Sequence, residues 1–327
     1  MGCNLRDLSN PTKIDLSDLA GKRIGIDSFL IAFQFLTSIR DRSETGDGGP
    51  LKDSQGRPVS HLMGFLERTT GLLEKGIIPI FIFDGVHPDL KAETIAKRKQ
   101  TSMDAEVKWK NALKEGDYKE AQKWAQRCIR YTPEMVEETI EMLHLLGVPA
   151  FRAAAEGEAQ AAVMAAKGDL DIVATQDWDA LLYGAPILIR NVMSDGSKRM
   201  GKTIKAERIL LNELLNENEL SREQLVDLGI MIGTDFHPGI KGIGPKTGIQ
   251  LLSSVTAIEL EERIKTGEVG LLTSIRGIGS KTAKRIIIEL KEKFISLDND
   301  EMPIEESHLE DPIYNDALDA LLVLGYS

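Results

Sequence analysis

The sequence contains little cysteine, few aromatic residues and no long hydrophobic run. Its two cysteines, Cys3 and Cys128, lie far apart, without the spacing of a disulfide framework or a thiolate metal site. This usage is typical of a reducing, intracellular compartment. No apolar run approaches the roughly 18 residues that a membrane-spanning helix needs, and no signal-peptide pattern is visible. We therefore expect no membrane partner, and the 327 residues are enough for a sizeable core and two domains.

Positive charge is absent from the last part of the chain. Residues 298–327 contain nine Asp and Glu but no Lys or Arg, and the whole chain has a formal net charge of −11. Taking these nine negative charges from −11 leaves −2 for residues 1–297. The overall charge at first argues against nucleic-acid binding, but its distribution makes local charge the better guide.

Several predicted strands end at or just before an acidic residue. Asp27 ends the short strand 22–27, Asp84 follows the apolar run 77–83, and Asp177 follows the run 171–175. Such runs are typical of buried parallel strands, whose carboxyl ends meet at one edge of a sheet. Taken singly, an Asp after a strand is more often a cap or loop residue. Their repetition predicts a cluster at the edge where open α/β sheets place their sites.

Two acidic pairs strengthen this prediction. Glu156 with Glu158 and Asp177 with Asp179 are separated by a predicted helix and the strand 171–175, and the predicted helix 221–232 leads to a further acid, Asp235. Converging carboxylates repel one another unless cations lie among them. Because the ligands are oxygens and the sequence shows no Cys or His near the two pairs, Mg²⁺ or Mn²⁺ is favoured over zinc.

A charged segment interrupts the α/β pattern. Residues 90–130 are predicted to be helical and contain eleven Lys and Arg against six Asp and Glu. A basic insertion beside a carboxylate cluster is what a nuclease would use to hold phosphates near its metals. The surplus alone fits a solvated two-helix hairpin equally well, so both interpretations stay open at this point.

An internal repeat follows. The segment 240–247, IKGIGPKT, is echoed by 275–282, IRGIGSKT. Each Gly-x-Gly precedes a basic helix start, which is the helix–hairpin–helix pattern: glycines let the backbone approach a phosphate, and free N–H groups at the helix start bind it. Two ordinary tight turns between helices are the alternative, but two copies favour DNA binding.

The motifs together resemble the flap endonuclease family of structure-specific 5′-nucleases, with the archaeal and eukaryotic branch fitting best. The resemblance covers residues 1–244. Its blocks are Ile26-Asp27, Phe33-Gln34-Phe35-Leu36, Ser60-His61-Leu62-Met63-Gly64, Phe83-Asp84-Gly85, Ala155–Ala161, Thr175–Asp179 and Gly233-Thr234-Asp235. It implies an α/β fold with a twisted, mostly parallel sheet flanked by helices (the PIN-like 5′-nuclease fold), a helical arch over about 88–131 and a C-terminal helix–hairpin–helix domain.

The resemblance also implies roles for individual residues. Seven carboxylates would bind two Mg²⁺ ions that activate a water and stabilise the leaving group; they are Asp27, Asp84, Glu156, Glu158, Asp177, Asp179 and Asp235. Lys91 and Arg98 would contact the scissile phosphate. The implied DNA contacts are Gly2 near the site, Phe33 on a base, Arg40 and Arg68 on the bent duplex, and the hairpin residues Gly242, Gly244, Lys246, Gly277, Gly279 and Lys281. The first hairpin of the family commonly binds K⁺.

The C-terminal quarter departs from the family pattern. The family's long helical region and its sliding-clamp docking motif are missing, which puts clamp binding in doubt. Residues 241–297 instead resemble the tandem-hairpin domain of the bacterial Holliday-junction-binding subunit of the branch-migration machine. We therefore predict a nuclease core over 1–238, a tandem-hairpin domain over 239–297, an acidic linker over 298–312 and a short helix over 313–327. By analogy alone, we expect a cytoplasmic, nucleoid-associated archaeal protein.

Three functional classes follow from these features. The leading one is Mg²⁺-dependent cleavage of branched DNA at a 5′ flap or nick, in replication and repair. A junction resolvase or gap endonuclease of the same superfamily is favoured by the second hairpin. A non-catalytic junction-binding protein would need a lost carboxylate, and all seven are present; a clamp adaptor would need the docking motif.

Overall fold

The computed structural model describes residues 2–199, 201–254, 262, 265–274, 278–281 and 283–288. The chain divides into two compact units, one of Met1–Gly239 with Ile243–Ile249 and one of Ile240–Gly242 with Gln250–Ser327. Gly277, the predicted acidic linker and the predicted C-terminal helix lie outside the described residues. Among the described helices, none is both long and apolar enough to cross a membrane.

The first unit contains a seven-stranded sheet and a separate two-stranded ribbon. The strands are β1 Thr12–Ile14, β2 Arg23–Asp27, β3 Ile78–Phe83, β4 Ala150–Arg152, β5 Ile172–Ala174, β6 Ile187–Arg190, β7 Lys198–Arg199, β8 Lys202–Thr203 and β9 Ala206–Leu210. Among the described residues of the whole chain, the named α-helices are α1 Ser28–Ser38, α2 Ser60–Glu74, α3 Ala92–Glu115, α4 Tyr118–Cys128, α5 Pro133–Leu145, α6 Gly157–Lys167, α7 Asp179–Leu182, α8 Leu211–Glu217, α9 Arg222–Ile232, α10 Pro245–Ser254 and, in the second unit, α11 Val269–Ser274.

The sheet is mostly parallel, as predicted. Its order is β1-β9-β6-β5-β2-β3-β4, and the five strands from β6 to β4 run parallel. Strands β9 and β1 add an antiparallel edge. Sequence patterning did not predict these two edge strands, because both are short and carry charged residues instead of an apolar run.

The register of the parallel strands brings their carboxyl ends together. Asp27 of β2 pairs with Ile82 of β3, one residue before that strand ends. On the other side, β2 pairs Ile26 with Ala174, the last residue of β5. These strands therefore end at the same edge of the sheet, and the acidic residues lie at that edge.

Apolar side chains cover both faces of the sheet. On one face, α1 and α2 pack over β3, and the ring of Phe65 lies edge-on to Phe35 and Phe81 at 5.3 and 5.5 Å between centroids. Gly64 permits this approach, because a Cβ there would lie 2.2 Å from the Phe35 ring. On the other face, α6 packs against β2, β3 and β5, with Gly25 close to Ala161. These two layers hold the sheet edge rigid.

The basic segment forms an antiparallel helical hairpin, the arch, made of α3 and α4. The sequence predicts that this segment is helical, and it forms two helices because the chain reverses at Gly116, whose φ of +74° favours glycine. Asp117 caps α4 by accepting from the Glu120 N–H. The buried residues of both helices are all alanines. Small side chains let the two helices pack closely and leave the basic residues outward.

The two hairpin repeats begin their helices in the same way. The N–H of Gly248 donates to the carbonyl of Gly244, and the N–H of Ala283 donates to the carbonyl of Gly279, both at 2.9 Å. Gly242 has a φ of +96°, a conformation that other residues adopt with strain.

Candidate active site

The edge of the sheet gathers six of the seven predicted carboxylates. Asp27 ends β2 and is buried, Asp84 follows β3, and Asp177 follows β5. The other three lie at the starts of helices. Glu156 and Glu158 flank the start of α6, and Asp179 is the first residue of α7. The seventh, Asp235, comes after α9 and joins the group through basic residues of the arch and its base.

One hydroxyl links two of these carboxylates. Oγ1 of Thr175 lies 2.7 Å from Oε1 of Glu158 and 3.2 Å from Oδ2 of Asp27. A hydroxyl has a single proton to donate, so it cannot satisfy both anions. The carboxylate that does not receive this proton is left with fewer donors; Asp27 also accepts the Phe29 N–H at 3.3 Å.

Burial and neighbouring negative charges raise the pKa values of three of these carboxylates. Burial raises the pKa of Asp27 to about 7, and the charge of Asp84 adds to the shift. Burial also raises the pKa of Glu158 well above its usual value, with the charge of Asp27 contributing. Burial again raises the pKa of Asp179 to about 6. Burial and neighbouring negative charge both disfavour the ionised carboxylate, and a cation among these groups would favour it.

The amino terminus packs against Asp179. The backbone N–H of Cys3 donates to Oδ1 of Asp179 at 2.6 Å. A Cβ on Gly2 would lie 2.4 Å from the same oxygen. The sequence prediction placed Gly2 near the site, and the structure brings it into contact with a predicted metal ligand.

Two basic side chains connect the carboxylates to the arch. The ammonium of Lys91, itself only 9% exposed, bonds Glu156 and lies 3.8 Å from Oδ2 of Asp235. Nη2 of Arg98, on α3, lies 2.8 Å from both oxygens of Asp235. Although burial opposes it, the bond to Glu156 and the neighbouring charges raise the pKa of Lys91, so it stays charged. Positive charge from the arch therefore reaches into the cluster.

His87 is a member of the site that the sequence interpretation missed. Its Nδ1 lies 3.3 Å from Oε1 of Glu156. Ligand atoms of Asp84, His87 and Glu156 all lie within 4.8 Å of one another. Its position three residues after Asp84, in the loop that follows an acid-ended strand, indicates a place near the site. It was not predicted because the expected ligands were all carboxylates.

The residues predicted to hold duplex DNA lie in different settings. Nη1 of Arg40 donates to the Gln122 carbonyl of α4, and Arg68 donates to the Asp195 carbonyl and to Oγ of Ser197, so both are partly buried. Phe33 packs at the margin of the core. Of the hairpin bases, Lys246 and Lys281 are both exposed.

A cluster of cations surrounds one indole ring on the arch. Nζ of Lys108 lies 4.3 Å, Cζ of Arg127 5.0 Å and Nζ of Lys123 5.2 Å from the ring centroid of Trp124. Cations gathered over an aromatic face provide both charge and a stacking surface.

The donor set fits divalent cations. Seven carboxylates offer hard oxygen ligands, and within the described residues one oxygen of Asp84 accepts a hydrogen bond, from the Gly157 N–H at 2.7 Å. Hard oxygen ligands suit Mg²⁺ or Mn²⁺. Mutual repulsion among these carboxylates is reduced when a cation lies among them.

Comparison with known sequences gives the family. Residues 4–105 match the XPG N-terminal domain, 147–235 match the XPG I-region, and 239–292 match the SAM-like helix-hairpin-helix tandem. Flap endonuclease 1 of Pyrococcus horikoshii is 45% identical over 258 residues, 77% of this chain and 74% of that protein. The chain belongs to the flap endonuclease 1 family. Flap endonuclease 1 of Methanosarcina acetivorans is 43% identical over 281 residues, 84% of this chain and 82% of that protein.

Solved structures agree with this family. Flap endonuclease-1 from Methanococcus jannaschii has a TM-score of 0.60 at 36% identity and covers 90% of this chain and 100% of its own. The catalytic core of Rad2 in complex with DNA substrate has a TM-score of 0.61 at 24% identity, covering 93% of this chain and 84% of its own, and shows the shared fold. The predicted flap endonuclease fold and the predicted tandem hairpins are thus confirmed. The further resemblance to a bacterial junction-binding subunit stays a prediction.

Because burial raises the pKa of Asp27, the stability of this chain should depend on pH, and a bound cation should change that dependence. Between about pH 4 and about pH 7 the folded chain keeps a proton on Asp27 that the unfolded chain has released, so this group makes the free energy of unfolding fall as pH rises. Thermal melts in EDTA and in Mg²⁺ should show a larger Mg²⁺-dependent rise in Tm at about pH 8 than at about pH 5.

The variant Asp27→Asn provides the control for this measurement. It should flatten the dependence of the EDTA melts on pH and reduce the gain from Mg²⁺. An equal gain in Tm from Mg²⁺ at both pH values in the unsubstituted chain would contradict the explanation.

Gly2 should be intolerant of a side chain. In Gly2→Ala, the new methyl group would meet Oδ1 of Asp179 at 2.4 Å, so the carboxylate or the amino terminus must move. We expect a 10- to 100-fold lower rate of cleavage at limiting Mg²⁺, since about 1 Å of misplacement at a reacting centre costs on the order of 100-fold. Single-turnover rates against Mg²⁺ concentration would measure the effect.

The matched control is Gly71→Ala, because a Cβ at Gly71, on α2, meets nothing within 4 Å. It should leave the rate unchanged. Equal rates for Gly2→Ala and Gly71→Ala would remove Gly2 from the site.

Proposed function

We propose that this protein is a structure-specific 5′ flap endonuclease and 5′–3′ exonuclease that hydrolyses phosphodiesters of branched DNA in replication and repair. One observation carries the proposal. Six carboxylates lie at the carboxyl edge of the mostly parallel sheet, and Asp235 joins them through ion pairs with Lys91 and Arg98, from the base of the arch and from the arch itself. Membership of the flap endonuclease 1 family makes DNA the expected substrate.

The seven carboxylates would hold two Mg²⁺ ions, with Mn²⁺ as a substitute. Ligand atoms of Asp84 and Glu156 lie close together, and burial, with the charges of Asp27, Asp177 and Asp179, raises the pKa of Glu158. When bound, such a pair of ions activates a water and stabilises the leaving oxygen of the phosphodiester. Thr175 would keep Glu158 and Asp27 oriented, and Cys3 would do the same for Asp179.

Lys91 and Arg98 would bind the scissile phosphate. In the structure both side chains form ion pairs with carboxylates, Lys91 with Glu156 and Arg98 with Asp235. Metal ions bound to those carboxylates would release the Lys91 ammonium and the Arg98 guanidinium to bind phosphate oxygens. The Trp124 cluster of the arch supports a contact with the single-stranded flap farther from the cut.

The remaining predicted contacts would hold the duplex. Gly242, Gly244 and Lys246 of the first hairpin would bind the phosphate backbone and a K⁺ ion, and Gly279 and Lys281 would repeat the contact. Phe33, Arg40 and Arg68 stay predictions as base and duplex contacts; Arg40 and Arg68 would first exchange a protein partner for DNA. Gly277 belongs to the same proposal by sequence alone. Sliding-clamp binding stays in doubt, and the expected cytoplasmic, nucleoid-associated location stays a prediction.

A junction-resolving activity is the second candidate. The second hairpin begins its helix with the same hydrogen bond as the first, so the chain carries two similar backbone-binding turns. A second duplex arm, as in a four-way junction, would give both turns a phosphate backbone to bind.

A cleavage panel tests the two candidates. Labelled double-flap DNA, a four-way junction and plain duplex should each be incubated with Mg²⁺ and with EDTA. We expect a metal-dependent cut at the base of the flap and little cutting of plain duplex. Paired symmetrical cuts in the junction would favour the resolvase, and tight junction binding without any cut would favour a binding protein.

A further inference from the structure

His87 stands among the predicted metal ligands but has no role in the proposed function. Its Nδ1 lies 3.3 Å from Oε1 of Glu156, and ligand atoms of Asp84, His87 and Glu156 all lie within 4.8 Å of one another. The imidazole is about two-fifths exposed, whereas the Glu156 carboxylate is only 11% exposed. The nitrogen therefore lies beside two oxygen donors whose residues are less exposed than His87.

The loop that carries His87 is fixed on both sides. Before it, the N–H of Gly85 donates to the Ala155 carbonyl at 2.7 Å, and a Cβ on Gly85 would lie 2.0 Å from the Ala153 carbonyl oxygen. After it, the N–H of Lys91 donates to the Pro88 carbonyl at 2.9 Å and closes a 3₁₀ turn. A donor held this way loses little freedom when it binds an ion.

The three donors together differ chemically from an all-oxygen site. Mg²⁺ strongly prefers oxygen ligands, whereas Mn²⁺ accepts an imidazole nitrogen more readily and binds a mixed site more tightly. We propose that His87 is a ligand of the cation held by Asp84 and Glu156, a proposal that rests on the proposed metal-dependent function. The imidazole makes this cation site selective for Mn²⁺ over Mg²⁺.

Mn²⁺ binding to the full-length protein without DNA tests this directly. Electron paramagnetic resonance of free Mn²⁺ gives the affinity, and pulsed measurements of the bound ion detect nitrogen from a coordinated imidazole. The unsubstituted chain should show the nitrogen modulation. His87→Ala should lose that modulation and bind Mn²⁺ at least about tenfold more weakly, with Mg²⁺ affinity changed less than about twofold.

Two variants make the comparison specific. Val86→Ala alters the neighbouring residue, which is 80% exposed, and should keep both the affinity and the nitrogen modulation. His87→Asp keeps a ligand but replaces nitrogen with oxygen, so it should bind Mn²⁺ without the modulation and lower the ratio of Mn²⁺ to Mg²⁺ affinity. Thermal melts of the metal-free variants establish that each is folded.

The result that overturns the proposal is nitrogen modulation that persists in His87→Ala, or its absence from the unsubstituted chain. Either result can occur in a protein that still cuts flaps with Mg²⁺, in which case the proposed function stands. Failure to bind any Mn²⁺, together with no cleavage of branched DNA, would instead overturn the proposed function and the His87 ligand together.

Discussion

Asp179→Asn should lower the single-turnover rate of flap cleavage by about a thousandfold or more and leave DNA binding nearly unchanged. Asparagine keeps an oxygen that accepts the Cys3 N–H, so the local fold is retained, but it removes the negative charge. Loss of a bound ion removes several kcal/mol of transition-state stabilisation, and about 4 kcal/mol corresponds to roughly a thousandfold in rate. Rapid-quench cleavage and equilibrium binding to the same double-flap DNA measure the two quantities.

The matched control for this prediction is Asp171→Asn. Asp171 precedes β5 and pairs with Arg23, so it lies at the opposite end of the strand that leads to Asp177 and Asp179. Its ion pair is largely exposed and contributes little to stability. Asp171→Asn should cut at the normal rate. Equal loss of cleavage and of DNA binding in Asp179→Asn would show that the residue supports the fold instead of holding an ion.

Arg98→Ala should slow cleavage by roughly 100- to 1,000-fold, the usual effect of losing one preorganised charge from a transition state. The guanidinium lies 2.8 Å from both oxygens of Asp235 and so reaches the cluster from the arch. Removing it also removes a positive charge beside a predicted metal ligand. The apparent affinity for Mg²⁺ should therefore stay equal or rise while the saturated rate falls.

Arg130→Ala is the matched control on the arch, because Arg130 pairs with Glu106 away from the seven carboxylates. It should leave the saturated rate within about twofold of normal, as expected for an exposed ion pair. Restoration of the Arg98→Ala rate by excess Mg²⁺ would show that Arg98 only helps to hold the ions and does not bind the phosphate.

The sheet and most of its acidic edge were predictable from the sequence. Buried strands such as β3 stand out as apolar runs, and a parallel sheet places their carboxyl ends together, so the proximity of Asp27, Asp84 and Asp177 followed from pattern alone. The similar turns of the two hairpins were also predictable from the sequence. An eight-residue repeat with glycines at the same positions indicates the same backbone conformation in both copies.

Contacts between distant parts of the chain were not predictable in the same way. Nothing in the sequence around Arg98 indicates that it reaches Asp235, since the contact depends on where the chain reverses and how the arch returns to the sheet. The bond from Arg40 to the Gln122 carbonyl depends on the same reversal at Gly116. His87 was missed because its partners, Asp84 and Glu156, come from two different strand ends.

The dependence of the single-turnover rate on Mg²⁺ concentration tests the central claim most directly, with labelled double-flap DNA and protein in excess. If the carboxylates hold two ions that are both required, cleavage is absent in EDTA. A double-logarithmic plot of rate against Mg²⁺ then rises with a slope approaching two before it saturates. Cleavage that persists in EDTA, or a rate that does not change with Mg²⁺, would contradict a metal-dependent nuclease centre at this edge of the sheet.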